Sequence, residues 1–246
     1  MDIRYKIYNP AGNITALVIG DNYTTEEKRK INSKIMEKEK TVEQVGFISE
    51  TEERVTMAGG EFCGNATRSA VKYYLEKQKT TNIDIKINNY NITSGIKNNK
   101  IWCEIPLPQD STLIEKRTNE ITQVNLSGIT IILLDHENNM KLKEKAIELI
   151  EKLELREKEA VGIIFKEKSD KIIPVVWVKE INTLFEENSC GSGSIAYALA
   201  EASKSNRKKF EIMQPSGKTL IVEITKEGKV ILSGEITEEK EDILTC

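Results

Sequence analysis

The clearest structural signal in the sequence comes from two short stretches, Phe62-Cys63-Gly64-Asn65-Ala66 and Ser189-Cys190-Gly191-Ser192-Gly193. In each stretch a cysteine precedes a glycine at the start of a run of small residues, which is typical of the first turn of a closely packed helix. We predict these helices over about residues 66–76 and 195–203. Matching cysteines at two helix starts indicate that the chain contains one structural unit twice.

The predicted strands and helices around these stretches occur in the same order in both parts of the chain. Apolar runs, alternation and turn residues predict strands at about 3–7, 17–19, 42–48, 54–57, 83–87, 91–94 and 101–105, and again at 130–134, 161–165, 172–178, 209–213, 219–224 and 229–233. An outer helix is predicted in each part, at about 24–40 and 140–153. We also expect Ser94-Gly95 and Ser216-Gly217 to occupy the same hairpin of the two units.

The repeated order predicts an α+β fold with two pseudo-symmetric halves, each a mixed β-sheet wrapped round a central helix. We place the boundary near Pro108–Thr118, which gives an N-terminal half of residues 1–117 with Cys63 and a C-terminal half of residues 118–246 with Cys190. The active site is then expected in the cleft between the two halves.

Charge and apolar patterning exclude several classes of protein. The 36 basic and 39 acidic residues are interspersed and give a net charge of −3, so we expect neither a nucleic-acid partner nor an anionic membrane surface. No apolar run approaches the roughly 20 residues of a membrane span, and the N-terminus alternates like a strand instead of resembling a signal peptide. We therefore expect a cytoplasmic protein whose four cysteines, which lack a short-spaced pair, are free thiols.

Cys63 and Cys190 are predicted to be a catalytic acid–base pair. The free N–H groups at a helix start carry partial positive charge, so we expect both thiol pKa values to be lowered. The same N–H groups would bind a substrate carboxylate, which Gly64 and Gly191 allow the backbone to approach. Such a site suits inversion of an amino acid's α-carbon, because one sulfur removes a proton and the other delivers one to the opposite face. We predict no metal ion and no pyridoxal phosphate or other cofactor, since the N–H groups stabilise the developing charge.

Other interpretations of these residues are weaker. A lone buried cysteine is usually a packing residue, but two in matched turns favour a shared function. The glycine-rich turns lack both the Gly-Lys-Ser/Thr of a phosphate-binding loop and a full G-x-G-x-x-G dinucleotide motif. We interpret Cys103 as a packing residue, Cys246 as a tail residue and His136 as part of an exposed turn, without the spacing of metal ligands.

Residues 62–68, Phe-Cys-Gly-Asn-Ala-Thr-Arg, and residues 188–194, Asn-Ser-Cys-Gly-Ser-Gly-Ser, also allow a family assignment. They resemble the two cysteine motifs of the diaminopimelate epimerase superfamily, whose members include cofactor-independent two-cysteine amino-acid racemases. Gly12-Asn13 stands where this family has an N-terminal substrate contact, and residues 232–235 resemble its closing strand and turn. The resemblance implies that Cys63 and Cys190 are catalytic. It also implies a substrate site formed by Asn13, Gly64, Asn65, Gly191 and Ser192.

Three features of true diaminopimelate epimerases are missing from this chain. Arg54-Val55-Thr56-Met57-Ala58 replaces an Asn-x-Asp-Gly-Ser stretch, Gly128-Ile129-Thr130-Ile131 replaces Gly-Asn-Pro-His, and Ile181-Asn182 replaces a Glu-Arg pair. In the family that pair grips the far amino-acid end of diaminopimelate, and a buried arginine–carboxylate pair is a strong interaction to lose. The departures argue against a substrate with a second zwitterionic end.

Residues 57–66, Met-Ala-Gly-Gly-Glu-Phe-Cys-Gly-Asn-Ala, are most similar to the histidine racemase-like branch of the superfamily. This resemblance implies a histidine racemase with a small amino-acid substrate, and it leaves a homodimer open. Glu61, Glu186 and Glu187 are candidate contacts for the substrate side chain by proximity alone. Two alternatives remain: a diaminopimelate or lanthionine epimerase with an altered distal pocket, and a non-racemase metabolite-binding or isomerase relative of the same fold.

Overall fold

A computed structural model describes residues 2–108 and 113–245. The helices are α1 (Thr25–Lys38), α2 (Gly64–Gln78), α3 (Leu142–Lys152) and α4 (Gly191–Ala202). The first seven strands are β1 (Asp2–Pro10), β2 (Thr15–Ile19), β3 (Gln44–Ile48), β4 (Arg54–Met57), β5 (Asn82–Ile87), β6 (Tyr90–Lys97) and β7 (Lys100–Ile105). The later strands are β8 (Ile114–Lys116), β9 (Thr122–Leu126), β10 (Ile129–Asp135), β11 (Ala160–Glu167), β12 (Lys171–Val178), β13 (Thr183–Glu186), β14 (Lys209–Met213), β15 (Thr219–Ile224), β16 (Val230–Gly234) and β17 (Ile236–Thr245).

Both parts of the chain pair their strands in the same succession. β1 to β7 lie side by side in chain order, and their successive pairings are antiparallel, parallel, antiparallel, parallel, antiparallel and antiparallel. β9 to β12, followed by β14 to β16, show the same succession of pairings. β7 pairs antiparallel with β16 and joins the two sets into one large mixed sheet. The fold is therefore mixed α+β.

α2 and α4 are the central helices of the two sets of strands. α2 contacts each of the strands β1 to β7, and α4 contacts each of the strands β9 to β12 and β14 to β16. Every residue from Gly191 to Ala200 in α4 is buried. Most of these residues are glycine, serine or alanine, whose small side chains let the surrounding strands approach the helix closely.

α1 and α3 are the outer helices, and each buries only one face. α1 buries Ile31 and Ile35, and α3 buries Leu149 and Ile150, while their charged residues are mostly exposed. α1 begins after a capping box at Thr24, as its sequence predicts. Amphipathic outer helices and central helices that are buried over most of their length thus follow from two different residue patterns.

Most predicted elements are present, with differences at their ends. α2 and α4 begin earlier than predicted, at Gly64 and Gly191, because the preceding cysteine caps each helix. β8, β9, β13 and β17 were not predicted from the sequence. Ser94-Gly95 and Ser216-Gly217 belong to the matching hairpins β5–β6 and β14–β15, but at different places, since Ser94 lies within β6 whereas Ser216 lies in the turn between β14 and β15.

The last strand returns to the N-terminal part of the chain. β17 pairs antiparallel with β1, from Asp2 opposite Thr245 to Pro10 opposite Ile236. The predicted division into residues 1–117 and 118–246 places β17 in the C-terminal half, although its partner β1 belongs to the N-terminal half. The division itself stays a prediction. Residues 109–112, within the predicted boundary, and Cys246 lie outside the described residues. Within residues 2–108 and 113–245, no helix combines the length and apolar character needed to cross a membrane.

Candidate active site

Cys63 and Cys190 cap the two central helices in the same geometry. Their backbone angles are φ −127° and ψ 110° for Cys63, and φ −131° and ψ 110° for Cys190. Each sulfur accepts a hydrogen bond at 3.4 Å from the backbone N–H three residues later, which belongs to Ala66 in α2 and to Gly193 in α4. Each thiol therefore takes the place usually held by a serine, threonine or aspartate cap, at the positive end of its helix.

Gly64 and Gly191, the first residues of α2 and α4, lie against each other. A Cβ atom on Gly191 would be 3.3 Å from Gly64 Cα and 3.0 Å from Leu232 Cδ2. A Cβ atom on Gly64 would be 2.8 Å from the same leucine atom. A side chain at either position would push the helix starts apart, so glycine is what lets both cysteines reach one site.

Hydrogen bonds hold the two helix starts together. The Asn65 side-chain amide donates to the Ser189 carbonyl oxygen at 2.9 Å and so links α2 to the residue before Cys190. Arg68, one turn later in α2, is fully buried and donates from Nη2 to Asn65 Oδ1 at 2.8 Å. The Cys190 backbone N–H donates to Gln214 Oε1 at 2.9 Å. Asn65 and Arg68 therefore have a structural task in the site that the sequence alone did not reveal.

The two cysteines face one cleft, which contains about 640 Å³ of empty space, part of it open to solvent. The predicted substrate contacts that line this cleft are Gly64, Asn65, Gly191 and Ser192. Asn13 is not among the lining residues. It is fully buried and donates from Nδ2 to Glu43 Oε2 at 3.0 Å. Asn13 therefore contacts the cleft only indirectly, through its hydrogen bond to the Glu43 carboxylate.

Three carboxyl groups line the cleft, and no lysine, arginine or histidine of the described chain does. They belong to Glu43, Glu61 and Glu187. Burial raises the pKa of Glu61 to about 7, that of Glu187 to about 8, and that of Glu43 above its ordinary value. Glu61 Oε2 is buried and has no hydrogen-bond partner among the described residues. A cation in the cleft would offset the desolvation of these carboxylates, so the site is suited to a positively charged ligand.

The prediction that both thiol pKa values are lowered is wrong. Burial raises the pKa of Cys63 to about 12 and raises the pKa of Cys190 well above its ordinary value. The negative charge of Glu187 raises both pKa values further. The backbone N–H groups of Ala66 and Gly193 favour the thiolates, as predicted, but their effect is smaller than that of burial. Both sulfurs are therefore thiols in the empty cleft near neutral pH.

Glu43 and Gln44, at the start of β3, belong to the site and were not predicted. The Cys63 thiol donates to Gln44 Oε1 at 2.9 Å. Glu43 Oε1 accepts from Asn188 Nδ2 at 2.6 Å, close to the second cysteine motif. In the sequence these two residues are a polar pair before a buried strand, a pattern that solvated loops share. Only the fold, which places the start of β3 at the cleft, identifies them.

The remaining candidate residues lie away from the two sulfurs. Glu186 is exposed at the end of β13 and does not line the cleft, whereas Glu187 does. Cys103 is fully buried in β7, as expected for a packing residue. The prediction of an exposed turn at His136 is wrong, because this residue is partly buried with Nδ1 at 3.2 Å from Glu167 Oε1. The described residues contain no cluster of three or more His, Cys, Asp or Glu side chains placed to hold a metal ion.

Sequence comparison relates the chain to racemases. A family model described as the histidine racemase CntK N-terminal domain matches residues 2–240. A histidine racemase from Fusobacterium nucleatum subsp. nucleatum is 33% identical over 227 residues, which cover 85% of this chain and 84% of the relative. A histidine racemase from Staphylococcus aureus strain Mu50 is 27% identical over 241 residues, which cover 89% of this chain and 88% of the relative.

The fold is also similar to that of an epimerase of known structure. A hydroxyproline epimerase from Agrobacterium vitis, solved with bound trans-4-OH-L-proline, has a TM-score of 0.68 and 10% sequence identity. The superposition covers 99% of this chain and 92% of that protein. At this identity the likeness concerns the fold alone. Because the family model spans almost the whole chain, the protein belongs to the histidine racemase family, and it is an amino-acid racemase.

Proposed function

We propose that this enzyme interconverts L- and D-histidine, with Cys63 and Cys190 as the two acid–base groups and without pyridoxal phosphate. The observation that supports this best is the cleft itself, which two helix-capping thiols share with three partly buried carboxyl groups. The thiols suit inversion at a carbon placed between them. The carboxyl groups suit a substrate with positive charge on both its α-amino group and its side chain.

The helix starts are the proposed binding site for the substrate carboxylate. The backbones of Gly64 and Gly191 lie in contact, and both residues line the cleft. Free N–H groups of two helices therefore converge on one point, where they bind a carboxylate and stabilise the charge that flows onto it when the α-proton leaves. Asn65 and Ser192, the next residue of each helix, also line the cleft and complete this part of the site.

The three glutamates are the proposed binding site for the two cationic groups of histidine. Protonated histidine carries an ammonium and an imidazolium, and each can donate to a carboxylate in a charge-assisted hydrogen bond. Glu61 Oε2, buried and without a partner in the described chain, is the acceptor we assign to the imidazolium. Glu43 is fixed by Asn13 and Asn188 and so presents a carboxylate of defined position.

Proton transfer in the cleft balances without an outside reagent. The positive charge of the bound substrate favours the carboxylate form of Glu187, which then accepts the proton of the neighbouring Cys190 thiol. The resulting thiolate removes the α-proton, and the electron pair spreads onto the substrate carboxylate. The other thiol delivers its proton to the opposite face of the carbon. One thiol and one thiolate remain, with their roles exchanged, ready for the reverse reaction.

Three broader features belong to the same proposal. The matching succession of strand pairings supports two pseudo-symmetric halves, with the cleft between them. We further place the enzyme in the cytoplasm and keep the homodimer as a prediction, which light scattering of the purified protein tests.

The deciding experiment is incubation of the reduced enzyme in D₂O with a panel of L-amino acids, diaminopimelate and lanthionine, read by chiral chromatography and mass spectrometry. We expect D-histidine that carries one solvent deuterium at the α-carbon, because the delivered proton comes from an exchangeable thiol. Inversion of diaminopimelate or lanthionine, but not of histidine, would favour an epimerase with an altered distal pocket. Absence of exchange with every substrate would favour a metabolite-binding or isomerase relative.

A further inference from the structure

Gln44 is held in one orientation by the neighbouring strand. Thr15 in β2 and Gln44 in β3 are partners in the parallel register, and Gln44 Nε2 donates to Thr15 Oγ1 at 2.7 Å. The Thr15 hydroxyl lies 3.0 Å from the Asn13 carbonyl oxygen and 3.4 Å from Asn13 Oδ1. Both Asn13 atoms can only accept, so the hydroxyl must donate to them and accept from Gln44. This order of donors and acceptors turns Gln44 Oε1 towards the cleft.

The fixed amide determines the state of the Cys63 sulfur. Gln44 Oε1 accepts from the Cys63 thiol at 2.9 Å. A carbonyl oxygen stabilises an S–H group but faces a thiolate with its own negative end, and it is too weak a base to remove the proton. Turning the amide to present its N–H groups would break the bond to Thr15. The proton is therefore stabilised on Cys63.

The matching position in the second set of strands lacks this arrangement. Gln44 is followed by a Val-Gly pair in β3, and Ala160 is likewise followed by a Val-Gly pair in β11. Ala160 is therefore the counterpart of Gln44. β10, the parallel neighbour of β11, begins with Ile129 where β2 has a threonine. Two apolar side chains thus replace the donor and acceptor groups. Cys190 instead lies beside the carboxyl group of Glu187, whose carboxylate form can take its proton.

We propose that Gln44, oriented by Thr15, is a positioning residue that keeps the proton on Cys63. Cys63 is then the acid and Cys190 the base when substrate enters the empty cleft. This inference rests on the proposed two-thiol function. In that first turnover the Cys190 thiolate takes the α-proton and the Cys63 thiol gives up its own. The Cys63 thiolate left behind faces the amide oxygen, so it regains a proton from the reverse reaction or from solvent.

Other charged groups also act on Cys63. The carboxylates of Glu61 and Glu187 disfavour its thiolate, and the buried guanidinium of Arg68 favours it. Cys190 and the carboxyl group of Glu43 are further titratable groups in the same cleft. None of these groups is hydrogen-bonded to Thr15, so a substitution at Thr15 changes the orientation of Gln44 and leaves the charges in place.

The test is the pH dependence of Cys63 alkylation by iodoacetamide in a Cys190→Ala background, with the modified peptide identified by mass spectrometry. Thr15→Val keeps the shape of the side chain but removes the hydroxyl, which frees Gln44 to turn its N–H groups towards the sulfur. We expect the apparent pKa of Cys63 to fall by about one unit, with roughly tenfold faster alkylation at neutral pH. Thr15→Ser retains the hydroxyl and should keep the parent pKa.

Gln44→Glu is the second variant and should shift the pKa in the opposite direction, because a carboxylate at this position disfavours the thiolate further. Equal pKa values in Thr15→Val and Thr15→Ser, or a shift of the same sign in Thr15→Val and Gln44→Glu, would overturn the inference. Alkylation requires no turnover. Shifts in the expected directions therefore support the role of Gln44 even if no amino acid is racemised, a result that overturns the proposed function alone.

Discussion

The starts of α2 and α4 have the same backbone geometry and different surroundings. Both place a cysteine at the cap with a sulfur-accepted bond of 3.4 Å. Cys63 is hydrogen-bonded to the amide of Gln44 and interacts electrostatically with the buried Arg68, whereas Cys190 interacts with the carboxyl group of Glu187. The comparison teaches that repeated strand pairing places the two sulfurs, whereas unrepeated side chains decide what each sulfur can do.

Removing either of the two sulfurs should have the largest effect on activity. If the two thiols act on opposite faces of one carbon, Cys63→Ala and Cys190→Ala should each lower the rate of racemisation about 10³-fold or more. Chiral chromatography of the histidine product measures the loss. Cys103→Ala is the control, because this cysteine is buried like Cys190 but lies outside the cleft, and the variant should remain active. Full activity in either cleft variant would remove that cysteine from the mechanism.

Separating the helix starts should have the next largest effect. Gly191→Ala places a Cβ atom 3.3 Å from Gly64 Cα and 3.0 Å from Leu232 Cδ2. We expect kcat to fall about 10²-fold because the sulfurs move relative to the substrate, and stability to fall by about 1–3 kcal/mol. Adding Leu232→Ala relieves the contact with the leucine but not the contact between the backbones. Recovery of kcat in the double variant would show that helix separation is not the cause.

The acidic lining can be tested by removing one charge at a time. Glu61→Gln should lower kcat/KM for histidine about tenfold, since a neutral amide makes a weaker bond to an imidazolium than a carboxylate does. Glu186→Gln changes an exposed glutamate that does not line the cleft, and it should leave kcat/KM unchanged. In the parent enzyme kcat/KM should have a maximum close to pH 7, because Glu61 must lose its proton, with a pKa of about 7, while the imidazolium, with an ordinary pKa of about 6.5, must keep its own. A Glu61→Gln variant with the parent pH profile would contradict this assignment.

The smallest expected effect is on thermal stability. The pKa of Glu61 is raised to about 7 in the folded protein, above its unfolded value of about 4.3. Its protonated form is therefore favoured by folding, and its contribution to stability decreases as pH rises from about 4.3 through about 7. Glu61→Gln should raise Tm at pH 8 by a few degrees and leave Tm at pH 4 almost unchanged. Equal changes at both pH values would indicate a packing effect instead.

The parts of the molecule that the sequence predicts are those with a local signal. A cysteine, a glycine and a run of small residues identify each central helix start without knowledge of its neighbours. β17 has no such signal, because its acidic stretch resembles a solvated tail and becomes a strand through pairing with β1. Gln44 and Glu43 are similar, since their role comes from residues that are distant in sequence. The thiol pKa values were predicted in the wrong direction because burial, which opposes the helix N–H groups, is a property of the whole fold.

The pairing of β1 with β17 also has a consequence for how the chain is made. Asp2 meets Thr245 in this pair, so a ribosome releases β1 long before its partner strand emerges. Until then one edge of the sheet around α2 has open backbone hydrogen-bonding groups, which attract strands from other molecules. Contacts this distant in sequence also slow the folding of a domain. During synthesis the nascent protein therefore passes through a stage at which it is exposed to aggregation, and this stage ends only when its last strand arrives.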